Sequence, residues 1–305
     1  MNSSRRSFLK NSAMAVTAAA LLPDALMAAV PKIQRVGLQL YSVRDHMKTD
    51  PAGTLKKLAD MGYVNVEHAN YIDRKFYGYT AKDFKKYLDD LGLKMPSGHT
   101  VMTTADWDAS KNDFTDKWKY TVDDAATMGQ KYVISPWMET EIRSNQEALK
   151  KFMDQFNKSG ELCAKSGMKF GYHTHEFEFV TKVGDKNLYE YILDNTDPKL
   201  VMQQLDIGNM YNQGPISALD YLKKYPGRFE SLHVKDEIKS TATGEVGTGY
   251  ESTYLGTGLV PVKEILALSK KQGIGSLVIE HESYQGADSI DCVKKDLQTM
   301  KKWGY

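Results

Sequence analysis

From Arg35 onward, short apolar runs alternate with longer stretches in which apolar residues recur every three or four positions, the spacings of buried strands and of amphipathic helices. Val36 to Tyr41 reads as a first strand and Pro51 to Met61 as a helix stopped by Gly62. Tyr63 to Glu67 is the second strand, followed by a helix from Thr80 to Leu91 with Gly92 behind it. Lys94 to His99 is the third strand, and a helix from about Asp113 to Met128 ends at Gly129. Lys131 to Ser135 is the fourth, with Ser144 to Ser166 helical and Gly167 closing it. Lys169 to Thr174, Leu200 to Asp206, Arg228 to His233 and Ser276 to Glu280 complete a set of eight strands. A glycine just past a helix supplies the left-handed residue that ends it. Repetition of this unit predicts parallel strands joined by crossover helices, and eight units over about 250 residues fit a closed (β/α)8 TIM barrel. An open doubly wound sheet is the alternative. Its dinucleotide-binding form places Gly-x-Gly-x-x-Gly after the first strand, where this chain has Tyr41-Ser42-Val43-Arg44-Asp45.

The polar residues at the strand ends change the picture from a scaffold to a site. Those ends carry Gln39 and Tyr41, Glu67 and His68, His99, Trp137, His173 and His175, Asp206 and Asn209, His233 and Lys235, Glu280 and Glu282. Six of the seven histidines fall at or beside such ends, whereas histidines on helix surfaces would be scattered. In a barrel of this kind the C-terminal strand ends carry the chemistry. Several carboxylates, imidazoles and no thiolate suit one divalent cation, Mn²⁺, Co²⁺, Zn²⁺ or Mg²⁺. Asp206, His233 and Glu280 are the firmest ligand choices. Taken singly, Asp206 could cap a turn, His233 could be a satisfied interior histidine and Glu280 could pair with a lysine. Three such residues at successive strand ends favour the metal.

Charge and composition narrow the partners. The 305 residues are 41% hydrophobic, and 40 basic against 39 acidic side chains leave a formal net charge of +1. A nucleic-acid partner held by charge would call for a clear basic excess, so none is expected. Cys163 and Cys292 are the two cysteines, too few for a disulfide framework and not in a Cys-x-x-Cys pattern. Before the barrel, Ser4-Arg5-Arg6-Ser7-Phe8-Leu9-Lys10 precedes an apolar stretch from Ala13 to Leu22 and small residues from Ala25 to Ala29. This order looks like a twin-arginine export signal over residues 1–30, leaving 31–305 as a single catalytic domain in the periplasm. The apolar run is short of the ~20 residues of a membrane span, so the mature form is expected to have no stable one. The glycine- and threonine-rich piece from Lys239 to Gly258, after the seventh strand, is a candidate active-site loop.

Gly37-Leu38-Gln39-Leu40-Tyr41-Ser42-Val43-Arg44, the Tyr172-His173-Thr174-His175-Glu176-Phe177-Glu178 segment, Asp206-Ile207-Gly208-Asn209, His233-Val234-Lys235-Asp236, Leu255-Gly256-Thr257-Gly258 and Val278-Ile279-Glu280 resemble the sugar phosphate isomerase/epimerase family, the xylose-isomerase-like TIM barrels. The resemblance covers about Arg35 to the C-terminus. It implies one divalent cation held by a Glu, an Asp, a His and a second Glu, with Asp206, His233 and Glu280 in the last three roles. The first role is where the chain departs, because His173 stands at the end of the fifth strand, where many relatives have Glu. Glu178 is chosen as that ligand because a carboxylate keeps the charge of the site, with His173 as the alternative and His175 left as an acid or base.

The resemblance further implies proton transfer next to a carbonyl through a metal-stabilised enediolate, with Glu178, His175 or Glu280 as base. Lys235 would hold a substrate oxygen, or else form an ion pair with Glu282 or Asp236. Glu67, His99, His173 and Glu282 would line the substrate, while Tyr41 and Trp137 would stack on a sugar ring. The leading expectation is a sugar isomerase or epimerase. Alternatives are a periplasmic 3-keto-glycoside lyase or hydrolase and a non-catalytic carbohydrate-binding barrel; endonuclease chemistry is the least supported. A sugar or keto-sugar is the expected partner, and a homo-oligomer is compatible with all of these.

Overall fold

The structure is a computed structural model that describes residues 35–212, 217–240 and 249–305. The expected export signal lies outside the described residues, as does the tip of the piece after the seventh strand. Eight parallel strands close into a barrel in sequence order: β1 Arg35–Gln39, β2 Asn65–His68, β3 Lys94–His99, β4 Tyr132–Ser135, β5 Lys169–His173, β6 Val201–Asp206, β7 Phe229–Val234 and β8 Ser276–Ile279, with β8 pairing β1. The crossover helices are α1 Pro51–Met61, α2 Ala81–Asp90, α3 Asp116–Met128, α4 Gln146–Ala164, α5 Leu188–Asn195, α6 Ala218–Lys224, α7 Val262–Lys271 and α8 Ser289–Lys302. Gly62 and Gly129 close α1 and α3 at φ +95° and +80°, the left-handed turns that their positions in the sequence predict.

Three boundaries differ from the sequence pattern for local reasons. β1 ends at Gln39 because its side chain accepts the N–H of Tyr41 and turns the chain into a 3₁₀ segment, Leu40–Val43. Asp113–Phe114 pairs with Trp107–Asp108 as a small antiparallel ladder, so α3 starts only at Asp116. The Asn145 side chain accepts from the N–H groups of Glu147 and Ala148, which starts α4 after a separate helical turn, Thr140–Arg143. The piece expected to be irregular after β7 instead has an antiparallel stem, Asp236–Lys239 paired with Tyr250–Thr253.

Alternation along the strands sorts side chains between two environments. Leu205, Leu232, Val234, Leu277 and Ile279 belong to the apolar core that also takes in Leu55, Leu58, Phe84, Leu266 and Val293 from the helices. Each such side chain is worth about 1.5–3 kcal/mol when fully buried. The intervening positions, Glu67, Ser97, Gln204, Ser231 and His233, are equally buried but polar, and they bond to one another. The barrel therefore has an apolar outside and, under its C-terminal mouth, a polar inside.

Candidate functional site

Strand register brings the polar groups together. Asp206 pairs with His233 across β6 and β7, and His233 pairs with Val278 on β8. Glu280, two residues beyond Val278, returns to the same face, and its N–H donates to Val234 O at 3.2 Å. His173 pairs with Gln204, two residues before Asp206. As a result His173, Asp206, His233 and Glu280, all buried, each offer a ligand atom within 4.8 Å of the others. A second group, His99, His173 and His233, meets the same limit.

Hydrogen bonds fix which atoms face that space. Gln204 donates through Nε2 to Glu67 Oε2 (2.9 Å) and Ser231 Oγ (3.1 Å), so its Oε1 is the acceptor facing His99 Nε2 (2.8 Å) and His173 Nδ1 (3.0 Å). His173 thus carries its proton on Nδ1 and presents the lone pair of Nε2. His233 donates from Nε2 to Glu67 Oε1 at 2.7 Å, which leaves Nδ1 at 3.1 Å from Glu280 Oε2 and 3.7 Å from Asp206 Oδ2. Asp206 Oδ1 accepts from the N–H groups of Gly208 and Asn209, whereas Oδ2 is buried with no hydrogen-bond partner. A buried carboxylate oxygen without a donor is costly unless something positive takes it.

These donors fit a divalent cation. Two imidazole lone pairs and two carboxylates without a thiolate suit a borderline ion, and an orphaned oxygen points into the group. Burial, with His233, His99 and His175 adding to it, keeps His173 well below the usual histidine range, so it stays neutral as a ligand must be. Burial would likewise lower His233, but Glu280 and Glu67 on either side outweigh it and raise the group well above its ordinary value, so that the Nδ1 proton is one a bound cation would displace. Burial would raise Asp206, but Lys235 and His233 outweigh it and hold the carboxyl well below the normal range.

Glu67, expected to line the substrate, is instead the floor of the site. Its Oε1 accepts from Gln39 Nε2 at 2.8 Å as well as from His233, with His99 Nε2 at 3.1 Å, and its Oε2 accepts from Ser97 Oγ and Gln204. Burial alone would raise this carboxyl, yet His99 and His233 beside it hold it well below the usual range. Carboxylates in this position orient a ligating imidazole. Glu67→Gln is expected to weaken metal affinity about 10- to 100-fold. It should also destabilise the metal-free protein by up to about 3–5 kcal/mol, because His233 loses one of the two buried carboxylates that flank it. Metal titration and thermal melting of the variant measure the two effects.

Glu178, the fifth-strand ligand chosen from the sequence, is not brought into the group; His173 occupies that place. After β5 the chain turns into a short helix, Phe177–Val180, which folds Glu178 back so that Oε1 meets Tyr172 Oη at 2.5 Å and Oε2 accepts the His175 N–H at 2.9 Å. Burial pushes this carboxyl up to about 8, against 4.5 ordinarily. Between those values the folded protein holds a proton that the unfolded chain releases. The contribution of this one group to stability is therefore complete below pH 4.5 and is lost as pH rises through about 8. Glu178→Gln is expected to flatten this fall in melting temperature between pH 5 and 8 while leaving metal content unchanged.

The remaining expected residues divide between the mouth and internal pairs. Lys235 is fully buried, with Nζ bonded to Asn209 Oδ1 at 3.1 Å and to Glu282 Oε2, so the ion pair with Glu282 is formed. Asp236 instead accepts the N–H groups of Glu237, Gly256, Gly258 and Val260. His175 lies edge-on to Trp137 with ring centroids 5.5 Å apart; burial pushes it down to about 3, and its Nδ1 has no hydrogen-bond partner. Trp137 and Tyr41 are 40% and 44% exposed at the ends of β4 and β1, with Arg143 over the first ring and Arg44 over the second. Sequence reasoning missed Ser97, Ser231 and Gln204, whose signal is a polar residue inside a buried strand. It also missed Thr174, which takes the Asp206 N–H on Oγ1 and accepts from Asn209 through its carbonyl.

The model of one protein family, the xylose isomerase-like TIM barrel, matches residues 55–303. The chain belongs to the xylose isomerase-like TIM barrel family. Within this family, the sugar phosphate isomerase/epimerase structure from Parabacteroides distasonis ATCC 8503 superposes with a TM-score of 0.72 and 28% identity, over 88% of this chain and 98% of that one. An inosose dehydratase from Clostridium perfringens strain 13 is 36% identical over 92 residues; the match spans 30% of this chain and only 30% of that relative's length. A structure described as IOLI protein with a binding zinc atom shares the fold at a TM-score of 0.68 and 15% identity, over 88% of this chain and 98% of that one. The family relatives are thus named as isomerases, epimerases and dehydratases. Among the described residues no helix is long and apolar enough to cross a membrane.

Proposed function

We propose that this chain is a divalent-metal-dependent enzyme that moves a proton on a carbon next to a carbonyl in a sugar or sugar-like polyol, as an isomerase or epimerase. The observation that carries this reading is the buried group of His173, Asp206, His233 and Glu280 with its unsatisfied Asp206 oxygen. The zinc in a structure of the same fold agrees with it. When bound, the cation supplies the positive charge that polarises a substrate oxygen and makes the neighbouring proton acidic.

The side chains around it divide the remaining work. His173, Asp206, His233 and Glu280 are the proposed ligands. Asp206 has Oδ1 committed to two backbone N–H groups, and both imidazoles are tethered by the network below them. Glu280 has no such tether to a backbone donor among the described residues, and its Oε2 lies 3.1 Å from His233 Nδ1; it is the proton acceptor in this reading. Lys235 brings a buried ammonium to the same rim, where it can hold a substrate oxygen as charge develops. His175, neutral at working pH, is a hydrogen-bonding group beside the Trp137 ring, on which a sugar face can stack.

A second reading is elimination, as in a dehydratase or a keto-glycoside lyase, where the same first proton is removed and a β-oxygen leaves. The Lys235–Glu282 pair favours it, because the Lys235 ammonium, close enough to lower the Asp206 carboxyl, can donate a proton to the departing oxygen. The clostridial relatives carry a dehydratase name. Incubation in D2O with a panel of aldoses, ketoses and 3-keto-glucosides tests both. Deuterium at the carbon next to the carbonyl of recovered sugar supports isomerisation or epimerisation, an unsaturated product or released aglycone supports elimination, and neither, with no bound metal, removes the enzyme. The Arg5-Arg6 pattern further supports export of the folded enzyme to the periplasm.

A further inference from the structure

A cavity of about 390 Å³ opens between the segments that follow β1 and β2. One wall is apolar, from Leu40, Met47, Pro51 and Tyr77; the other carries Arg44 and Lys48, one helical turn apart. It lies on the same end of the barrel as the proposed centre. Leu40 follows Gln39, which donates to Glu67, and Ala69 in the cavity wall follows β2 two residues after Glu67.

The guanidinium of Arg44 is held rigidly without being neutralised. Nη1 donates to Tyr284 Oη at 2.7 Å and to Tyr41 O at 3.3 Å, and Nη2 donates to Glu282 O at 3.0 Å. Its carbon sits 4.7 Å from the Tyr41 ring centre and 5.4 Å from that of Tyr284. All three acceptors are uncharged, and among the described residues neither Arg44 nor Lys48 has a carboxylate within ion-pair distance. Of the nearby acids, Glu282 bonds to Lys235, Asp288 to His46 and Asp50 to the Gly53 N–H, while Asp45, exposed and next to Arg44 in the chain, forms no ion pair with either cation. Of the five N–H donors of a guanidinium, the Nε–H and one on Nη2 are left over. An arginine fixed by neutral acceptors and rings, with donors to spare and a lysine at its side, is built to meet the planar or tetrahedral oxygens of an anion.

We propose that this cavity is a subsite for an anionic group, a carboxylate or a phosphoryl group, carried by the substrate, with the apolar wall covering the carbons next to it. This rests on the reading of the barrel mouth as a sugar site and narrows the substrate to an acidic sugar or a sugar phosphate. The subsite explains why two cations stand without counter-ions at one edge of a chain whose overall charge is balanced. It also gives the hydrogen bond from Arg44 to Glu282 O a purpose, because it ties the anion site to the segment after β8 that carries Glu280.

Calorimetric binding to the full chain as purified tests it, using glucose, glucuronate, glucose 6-phosphate and inorganic phosphate as probes. The expected result is that at least one charged sugar binds about tenfold or more tightly than glucose, with the preference shrinking as salt is raised. Preference for glucose 6-phosphate assigns a phosphoryl ligand, and preference for glucuronate a carboxylate. Arg44→Gln and the exposed Lys48→Gln should each reduce that preference without changing the affinity for glucose, and Arg44→Lys should retain part of it. Equal affinities for charged and neutral sugars, or a preference that survives both glutamine variants, overturns the subsite. Asp206→Asn separates this from the metal centre: the preference should persist in that variant, and its disappearance there would assign the anion to the cation site instead. Failure to detect any proton exchange would count against the proposed reaction and leave these binding results standing.

Discussion

Asp206→Asn is expected to abolish stoichiometric metal binding while the barrel still folds. The variant keeps an oxygen for the N–H groups of Gly208 and Asn209, so the turn after β6 survives. What changes is the other atom, which becomes an N–H donor or a neutral oxygen pointing at His233 and Glu280, and the site loses one negative charge. The loss of affinity should exceed the about 10- to 100-fold that a mutated outer partner costs. His233→Ala should behave alike, with a larger drop in stability because Glu67 loses the imidazole that donates to its Oε1. Metal analysis after dialysis, with circular dichroism to establish the fold, measures this. Unchanged stoichiometry in both variants would remove these assignments.

Glu280→Gln is expected to lower turnover by about 10²–10⁴-fold, the usual contribution of a positioned general base. Glutamine has the same shape and can still accept from neighbouring donors, but it cannot take a proton. If Glu280 only held the cation, the added metal needed for activity would rise and the rate at saturating metal would recover. If Glu280 is the base, the rate stays low at any metal concentration, and deuterium exchange into substrate falls with it. Exchange at the wild-type rate would move the base to another residue at the barrel mouth.

Much of the fold was legible because periodicity and glycine punctuation are local signals. All eight strands and the ends of α1 and α3 follow from them, and Asp206, His233 and Glu280 converge because the strands that carry them are neighbours in register. Glu178 was placed wrongly for the ligand group for a physical reason. Spacing gives the face of a side chain only while the strand lasts, and the turn of helix at Phe177–Val180 reverses the direction afterwards. The stem Asp236–Lys239 with Tyr250–Thr253 was hidden because its pairing joins distant residues and its surroundings are rich in glycine and threonine. Gln204 and Ser97 read simply as interruptions of apolar strands, and only the closed barrel shows that their interior side carries a hydrogen-bonded floor.

Three of the four amide hydrogens gathered by Asp236, those of Gly256, Gly258 and Val260, clamp the chain returning from the post-β7 hairpin against the end of β7, beside His233 and Lys235. The paired stem and the Ser240 N–H, which donates to Gly249 O at 2.9 Å, hold the base of this hairpin together. A loop of another length or sequence can therefore be grafted above this stem while the proposed metal group keeps its geometry.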